Sequence, residues 1–336
     1  MTKHPLIHYQ GQSLIPAYPP LQGFLLWPVV QLSSGLPLFG YWLRVCSTFV
    51  ELSIYITLLN VLPNNANNFF RVLLLTFLPL PILSLSIWGQ EEVLSFAFIF
   101  FGLLAWQYRV YTLAIIIWTF AVAAVKIFIL PLLALGLLDC LIKRRYPAIL
   151  LSLGIFILGY LGRIFNGGSG LAGVIPSNDY GNTLWSMPIV SEFISLHNQY
   201  TLSLVFCAVW GCLCIAYWVF SRLLTSISEM YALLSMGIFL LFYFANPEYF
   251  ILPYAALLAA FAFGRLSYKV LVVLGLLLSC TWIHNILYML CVSKKFLSCT
   301  SLIVYPYGSL VIANLAVVLA IILTFKDLSS KKEITG

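Results

Sequence analysis

Charged side chains are scarce in this sequence. They account for 8% of its 336 residues, whereas a soluble domain carries about a quarter. Hydrophobic residues make up 62% of the chain, and the mean hydropathy is +1.03. The net charge of +7 is modest and fits the excess of cations found in cytoplasmic loops, so no nucleic-acid partner is expected. The composition predicts a chain that buries its surface in a lipid bilayer.

Cysteine is also used sparingly, and its spacing gives no sign of a metal site or a disulfide framework. The eight cysteines are scattered, mostly within apolar segments, and no CxxC pair occurs. We therefore expect no cofactor and no metal ligand, although a bound divalent metal stays an open alternative. Residues 1–20 do not resemble a signal peptide, because no apolar segment follows a basic start.

Long apolar segments follow one another through most of the chain. Because a helix needs about 20 residues to cross the hydrocarbon core, they predict an all-α, polytopic transmembrane helix bundle of about nine or ten spans. Short re-entrant or interfacial helices are expected on its outer face. No internal repeat and no soluble segment interrupts the pattern, so residues 1–336 form one predicted membrane domain. Its parts are an outer polar tail (1–20), an interfacial helix (21–38), a transmembrane bundle (39–325) with an outer loop (164–200), and a cytoplasmic tail (326–336).

The uneven distribution of lysine and arginine predicts the orientation of this bundle. If the most basic connections are cytoplasmic, residues 1–20, 90–92, 163–200 and 246–248 face the outside. The expected location is the plasma membrane of a prokaryote or the endoplasmic reticulum of a eukaryote. The positions expected on the cytoplasmic side are Arg71, Arg109, Lys143, Arg144, Arg145, Arg222, Arg265, Lys269, Lys326, Lys331 and Lys332.

Two adjacent carboxylates, Glu91 and Glu92, follow Gln90 between two apolar segments. Ionisable groups at membrane depth are costly and tend to mark a pathway or a reaction site. A carboxylate beside hydrocarbon is a stronger base than one in water, which suits removal of a proton from a sugar hydroxyl. Both glutamates are candidate catalytic bases. The alternative is that they only cap the next helix, whose positive dipole end a carboxylate stabilises.

Two cations and two turn residues complete the candidate site on the outer face. Lys126 and Arg163 can neutralise a lipid phosphate, and arginine is suited to bidentate phosphate contact. The alternatives are that Lys126 snorkels to the interface and that Arg163 only marks the end of a span. Glu248 and Tyr249 lie in a polar segment between two apolar ones, which is also consistent with a plain turn.

Five motifs occur in a fixed order along the chain. They are Tyr-Pro-Pro-Leu at 18–21, Pro-Leu-Pro at 79–81, Gly-Gln-Glu-Glu at 89–92, Val-Lys-Ile-Phe-Ile-Leu-Pro at 125–131 and Asn-Pro-Glu-Tyr-Phe at 246–250. The ordered set resembles the polytopic C-type (GT-C) glycosyltransferases, especially polyprenyl- or dolichyl-phosphate-sugar mannosyltransferases of the GPI mannosyltransferase I kind and their prokaryotic relatives.

The resemblance implies inverting transfer of a hexose, such as mannose, from a lipid-phosphate-linked donor. The acceptor is a glycan, a lipid or a protein on the extracytoplasmic face. The candidate substrate-binding residues are Gln90, Lys126, Arg163, Glu248, Tyr249 and Tyr18.

One feature of that family is missing from this chain. The family has a further helix and a first outer loop with a catalytic acidic residue before its Tyr-Pro-Pro-Leu element. Residues 4–20 of this chain contain no Asp or Glu. We therefore expect the chain alone to transfer little or no sugar, unless Glu91 or Glu92 acts as the base. The alternatives are a truncated or non-catalytic relative that serves as a membrane subunit and, with less support, a lipid or sugar transporter.

The predicted orientation can be tested by cysteine accessibility. A cysteine at Ser169 should react with an impermeant thiol reagent applied from outside, and a cysteine at Ser330 should react only from the cytoplasmic side. The labelling of each variant is compared with that of the parent chain, which has native cysteines of its own. Labelling of both positions from the same side contradicts the topology.

Overall fold

The computed structural model describes most of the apolar part of the chain. The description covers residues 8–9, 12–13, 36–63, 65–87, 92–124, 127–165, 196–220, 226–241, 247–283, 286 and 304–335. Tyr18, Gln90, Glu91 and Lys126 lie outside the described residues, as do most of the predicted interfacial helix (21–38) and the centre of the predicted outer loop (164–200).

The described residues form an almost entirely helical structure, which confirms the all-α prediction. The one exception is a two-stranded ladder in the polar segment, where His8 pairs with Ser13 and Tyr9 with Gln12. Within the described part of the chain, none of the helices is both long enough and apolar enough to cross a membrane. The helices are α1 (Leu36–Val61), α2 (Ala66–Thr76), α3 (Glu92–Gln107), α4 (Tyr111–Ala124), α5 (Leu130–Ile142), α6 (Tyr146–Phe165), α7 (Leu196–Phe220), α8 (Ile227–Leu241), α9 (Ile251–Ala262), α10 (Tyr268–Ser279) and α11 (Val304–Thr335).

Several helices extend further than the sequence pattern indicated. Helix α6 continues through Arg163 to Phe165, and α7 already begins at Leu196, so both helices enter the predicted outer loop. Helix α11 runs to Thr335 and includes most of the predicted tail. Lysine, glutamate and arginine are good helix formers, so a change from apolar to polar composition does not by itself end a helix.

Three helix pairs are joined by the same kind of tight turn. In each, the second residue after the helix has a positive φ, namely 65° at Arg109, 56° at Arg144 and 67° at Gly264. The next amide donates to a carbonyl five residues back, from Val110 to Ala105, Arg145 to Cys140 and Arg265 to Ala260. This is the Schellman ending, in which glycine usually occupies the left-handed position because an L side chain costs about 1–2 kcal/mol there.

Side-chain contacts place these three turns at one end of the bundle. The rings of Tyr108 and Phe263 are 5.4 Å apart, which joins the first turn to the third. The Arg145 guanidinium lies 3.4 Å from the centre of the Tyr111 ring, which joins the second turn to the first. We call this end, formed by residues 108–111, 143–146 and 263–268, the basic end.

Trp118 forms the centre of the packing between α3, α4 and α5. Its indole is fully buried and stacks on Trp106, with ring centres 5.5 Å apart. A Cβ atom on Gly102 would overlap the indole, and one on Gly136 would come within 2.7 Å of it. The two glycines therefore let the neighbouring helices approach both sides of the ring. Small residues at helix interfaces permit this kind of close approach.

Helix α8 is the most enclosed element of the bundle. Nearly all of its residues are buried against α5, α7, α9 and α11. Its first turn is closed by a capping box, in which the Ser226 amide and hydroxyl donate to Glu229 Oε2 at 3.0 and 2.9 Å. The Glu229 amide donates back to Ser226 Oγ at 3.3 Å. The box satisfies amides that the first turn of a buried helix cannot pair internally.

Gly102 packs against Trp118 and Gly154 has open space beside it, so the two Gly→Ala substitutions should have opposite effects. Gly102→Ala should destabilise the protein by about 1–3 kcal/mol, because the confined indole cannot move away from the added methyl group. Gly154→Ala, in a helix with nothing within 4 Å of the new Cβ, should stabilise it by about 0.5–1 kcal/mol. Thermal unfolding of the two variants and the parent in the same detergent measures both effects. Equal unfolding temperatures for the two variants contradict this packing.

Candidate functional site

The end of the bundle opposite the basic end contains breaks in helical structure. Helices α3, α5 and α9 finish at the basic end, so their first residues lie at the other end, which we call the site end. Helices α4 and α6 start at the basic end and finish at the site end. This direction of the helices assigns Glu92, the first residue of α3, and Arg163, near the end of α6, to the same end.

Three short irregular segments lie next to the helix ends in this region. A π-helical segment (Ile82–Ile87) follows the Pro-Leu-Pro motif, one 3₁₀ turn (Ile127–Ile129) precedes α5, and a second 3₁₀ turn (Pro247–Phe250) precedes α9. Proline explains their positions, because it lacks an amide donor and its ring clashes with the preceding turn of a helix. Irregular helical segments of this kind are frequent at functional sites.

Aromatic contacts bring the two 3₁₀ turns together. The rings of Phe128 and Tyr249 are 4.5 Å apart, and both lie against Phe239 of α8, at 5.5 and 5.9 Å between ring centres. The Tyr231 hydroxyl donates to the carbonyl of Phe128 at 3.3 Å. The first 3₁₀ turn is therefore fixed to α8 through its backbone as well as through its side chain.

The π-helical segment is held in place by two contacts. It contacts the second 3₁₀ turn, and its buried Ser84 accepts a hydrogen bond of 3.1 Å from the Trp282 indole N–H. The site end thus joins three stretches that are far apart in sequence. Each stretch precedes or lies within one of the predicted site motifs, at 89–92, 125–131 and 246–250.

The structure describes the predicted site residues to different extents. Tyr249 is half-buried and takes part in the aromatic cluster. Glu92, Arg163 and Glu248 have defined backbone positions at the site end, but their side chains lie outside the description. Gln90, Glu91, Lys126 and Tyr18 lie outside it entirely, so their proximity stays a prediction. Lys126 is bracketed by described residues, Ala124 at the end of α4 and Ile127 in the first 3₁₀ turn.

The aromatic cluster was not anticipated from the sequence. Phe128 lies within the Val-Lys-Ile-Phe-Ile-Leu-Pro motif, where its position beside Lys126 was the available signal. Phe239 lies in a uniformly apolar helix, and nothing in the pattern distinguishes it from its neighbours. The cluster gives the site end an apolar surface, in which half-buried Phe128 and Tyr249 pack against buried Phe239, and Phe239 packs against buried Phe250. Aromatic faces contribute large contact areas to ligand sites.

No protein-family model, curated protein or solved structure matches this chain.

The contact between the two 3₁₀ turns can be tested by cross-linking. A chain with cysteines at Phe128 and Tyr249 should form an internal link with a short, membrane-permeant bifunctional thiol reagent, because the two rings touch. The control pairs a cysteine at Phe128 with one at Tyr108, which belongs to the basic end. Mass spectrometry of the digested protein identifies the linked peptides. Equal linking in the two double variants contradicts the convergence of these turns.

Proposed function

We propose that this chain is a membrane-embedded sugar-transfer protein of the GT-C kind. It binds a polyprenyl-phosphate-linked hexose at the site end and delivers the sugar to an extracytoplasmic glycan, lipid or protein acceptor. The observation that carries the proposal is the contact of Phe128 with Tyr249, because it joins the turn that follows Lys126 to the turn that contains Glu248.

The exposed surface of the bundle supports placement in a bilayer. Helix α6 leaves Leu150 67% exposed and Leu158 73% exposed, and α7 leaves Phe220 91% exposed. Large contiguous apolar surfaces are rare on soluble monomers and mark lipid or partner contacts. The exposed apolar residues of these two helices include Leu150, Leu151, Leu153, Ile157, Leu158, Leu204, Val205, Val209, Leu213 and Phe220.

The chemistry of the proposed transfer needs two kinds of group. The acceptor hydroxyl oxygen attacks the anomeric carbon, and the bond from that carbon to the phosphate oxygen breaks with inversion. A carboxylate takes the hydroxyl proton, and a cation stabilises the charge left on the lipid phosphate. Glu91 or Glu92 is the proposed base, Lys126 and Arg163 are the proposed phosphate contacts, and Phe128 with Tyr249 supports the apolar face of the donor.

A second candidate function is a membrane subunit that binds the same donor without turnover. The absence of a carboxylate from residues 4–20 favours it, because the resembling family supplies its acidic residue from the corresponding region. The two functions share one binding site and differ only in the proton acceptor. Donor binding without transfer identifies the second function, and absence of donor binding contradicts both.

The role of Lys126 can be tested by substitution. Lys126→Ala should lower turnover by on the order of a hundredfold, the typical loss when an electrostatic stabiliser of the transition state is removed. Lys326→Ala, near the far end of α11, is the matched control and should leave turnover unchanged. Transfer from a polyprenyl-phosphate sugar is measured with purified chain in liposomes, together with donor binding. A Lys126→Ala variant with parental turnover rules out this lysine as the phosphate contact.

Glutamine substitutions distinguish a base from a helix cap. Glu91→Gln or Glu92→Gln should abolish turnover if the residue accepts the proton, because glutamine keeps the shape of the side chain and cannot take the proton. A residue that only caps α3 should lose about 0.3–1 kcal/mol of stability and retain turnover. Robust transfer by both single variants contradicts the assignment of the base to this pair.

A further inference from the structure

The three turns of the basic end share more than their backbone geometry. Each carries an arginine at or directly after the left-handed position, and in each the next helix begins with tyrosine. The residues are Arg109 and Tyr111 in the first turn, Arg144, Arg145 and Tyr146 in the second, and Arg265 and Tyr268 in the third. The same combination of a cation and a tyrosine thus recurs at three sites that the chain brings together.

Two cations of the second turn are paired with an acidic residue. Asp139 pairs with Lys143 at 2.8 Å and more loosely with Arg145 at 3.8 Å. Arg109 and Arg144 are exposed, and within the described residues neither forms an ion pair with a carboxylate. Lys269 adds another exposed cation one residue into α10.

Backbone strain gives an independent reason to look for a role of the two arginines. Glycine fits the left-handed position without strain, and Gly264 occupies it in the third turn. Arg109 and Arg144 occupy it in the other two, at φ values of 65° and 56°. The turns would close more easily with glycine, so the turns themselves do not account for the guanidinium groups.

The surroundings of the turns fit a lipid surface better than an acidic protein. Tyr108 and Tyr146 are exposed beside the cations, and exposed aliphatic residues such as Leu113, Leu141 and Leu150 follow toward the middle of the bundle. This order of cation, tyrosine and aliphatic side chain matches the order of phosphate, interface and hydrocarbon in a leaflet. A soluble acidic protein would leave these aliphatic side chains without an apolar partner.

We propose that the basic end binds the headgroups of anionic phospholipids through Arg109 and Arg144, which occupy the left-handed positions of two of the hairpin turns. The proposal rests on the membrane placement in the proposed function and does not depend on sugar transfer. Guanidinium groups at the ends of α3, α5 and α9 are also favoured by the negative ends of the helix dipoles, which hold them near the turns.

The test uses native mass spectrometry of the purified full chain with added lipid. The parent should retain phosphatidylglycerol in preference to phosphatidylcholine of the same acyl chains. Each arginine lost should lower that preference about fivefold, the factor that corresponds to one cation near an anionic surface. Raising the salt concentration should reduce it as well.

The variants separate binding from folding. Arg109→Gly with Arg144→Gly should lose the preference while the unfolding temperature stays equal or rises, because glycine favours both turns. Arg109→Asn with Arg144→Asn is the second neutral pair, since asparagine tolerates the left-handed region. Arg109→Lys with Arg144→Lys keeps the charges and should keep most of the preference.

Three outcomes overturn the proposal. These are a parent without preference for phosphatidylglycerol, neutral variants that retain it, and a parent that binds polyglutamate while ignoring anionic lipid. The lipid preference is measured without a sugar donor. A chain that does not transfer sugar can therefore still show the preference. Release of the chain from membranes by alkaline carbonate contradicts the membrane placement, and with it both proposals.

Discussion

The paired backbone hydrogen bonds at Arg109, Arg144 and Gly264 are the constraint on which the rest of the structure depends. Each pair ends one helix and starts the next within a few residues, so the two helices must run in opposite directions. Because all three turns lie together, the free ends of α3, α4, α5, α6 and α9 lie together at the other end of the bundle. The irregular segments that follow or precede those ends then meet, and the candidate site forms there.

Close packing makes this arrangement rigid. Trp118 fills the space between two glycine-bearing helices, and the Trp210 indole donates to the Leu233 and Leu234 carbonyls of α8 at 3.3 and 3.2 Å. A Cβ on Gly237 would overlap that indole as well. In both places a tryptophan side chain packs against a glycine of a neighbouring helix, which lets the two helices approach closely. The aromatic cluster of the site end packs on the same α8, through Phe239.

The sequence pattern predicted the helical class, because helix formation has local causes. Proline is a local cause of helix breaks as well, and the structure has irregular segments next to Pro79, Pro81 and Pro131. The contact of Phe128 with Tyr249 could not be predicted, because it depends on the direction of helices that are distant in sequence. The buried capping box of Ser226 and Glu229 has a recognisable spacing, but its burial follows from the neighbours of α8. The extension of α11 into the polar tail was missed because charged residues are good helix formers.

The central claim is that a lipid-phosphate sugar binds where the 3₁₀ turns meet, away from the three basic turns. Photo-cross-linking with a polyprenyl-phosphate sugar analogue that carries a diazirine on the first isoprene unit, followed by peptide mapping, tests it most directly. Adducts are expected within the two 3₁₀ turns, at Ile127–Ile129 and Pro247–Phe250, and an excess of unlabelled donor should suppress them. Adducts confined to the turns at Arg109 and Arg144, or adducts that unlabelled donor does not suppress, contradict it.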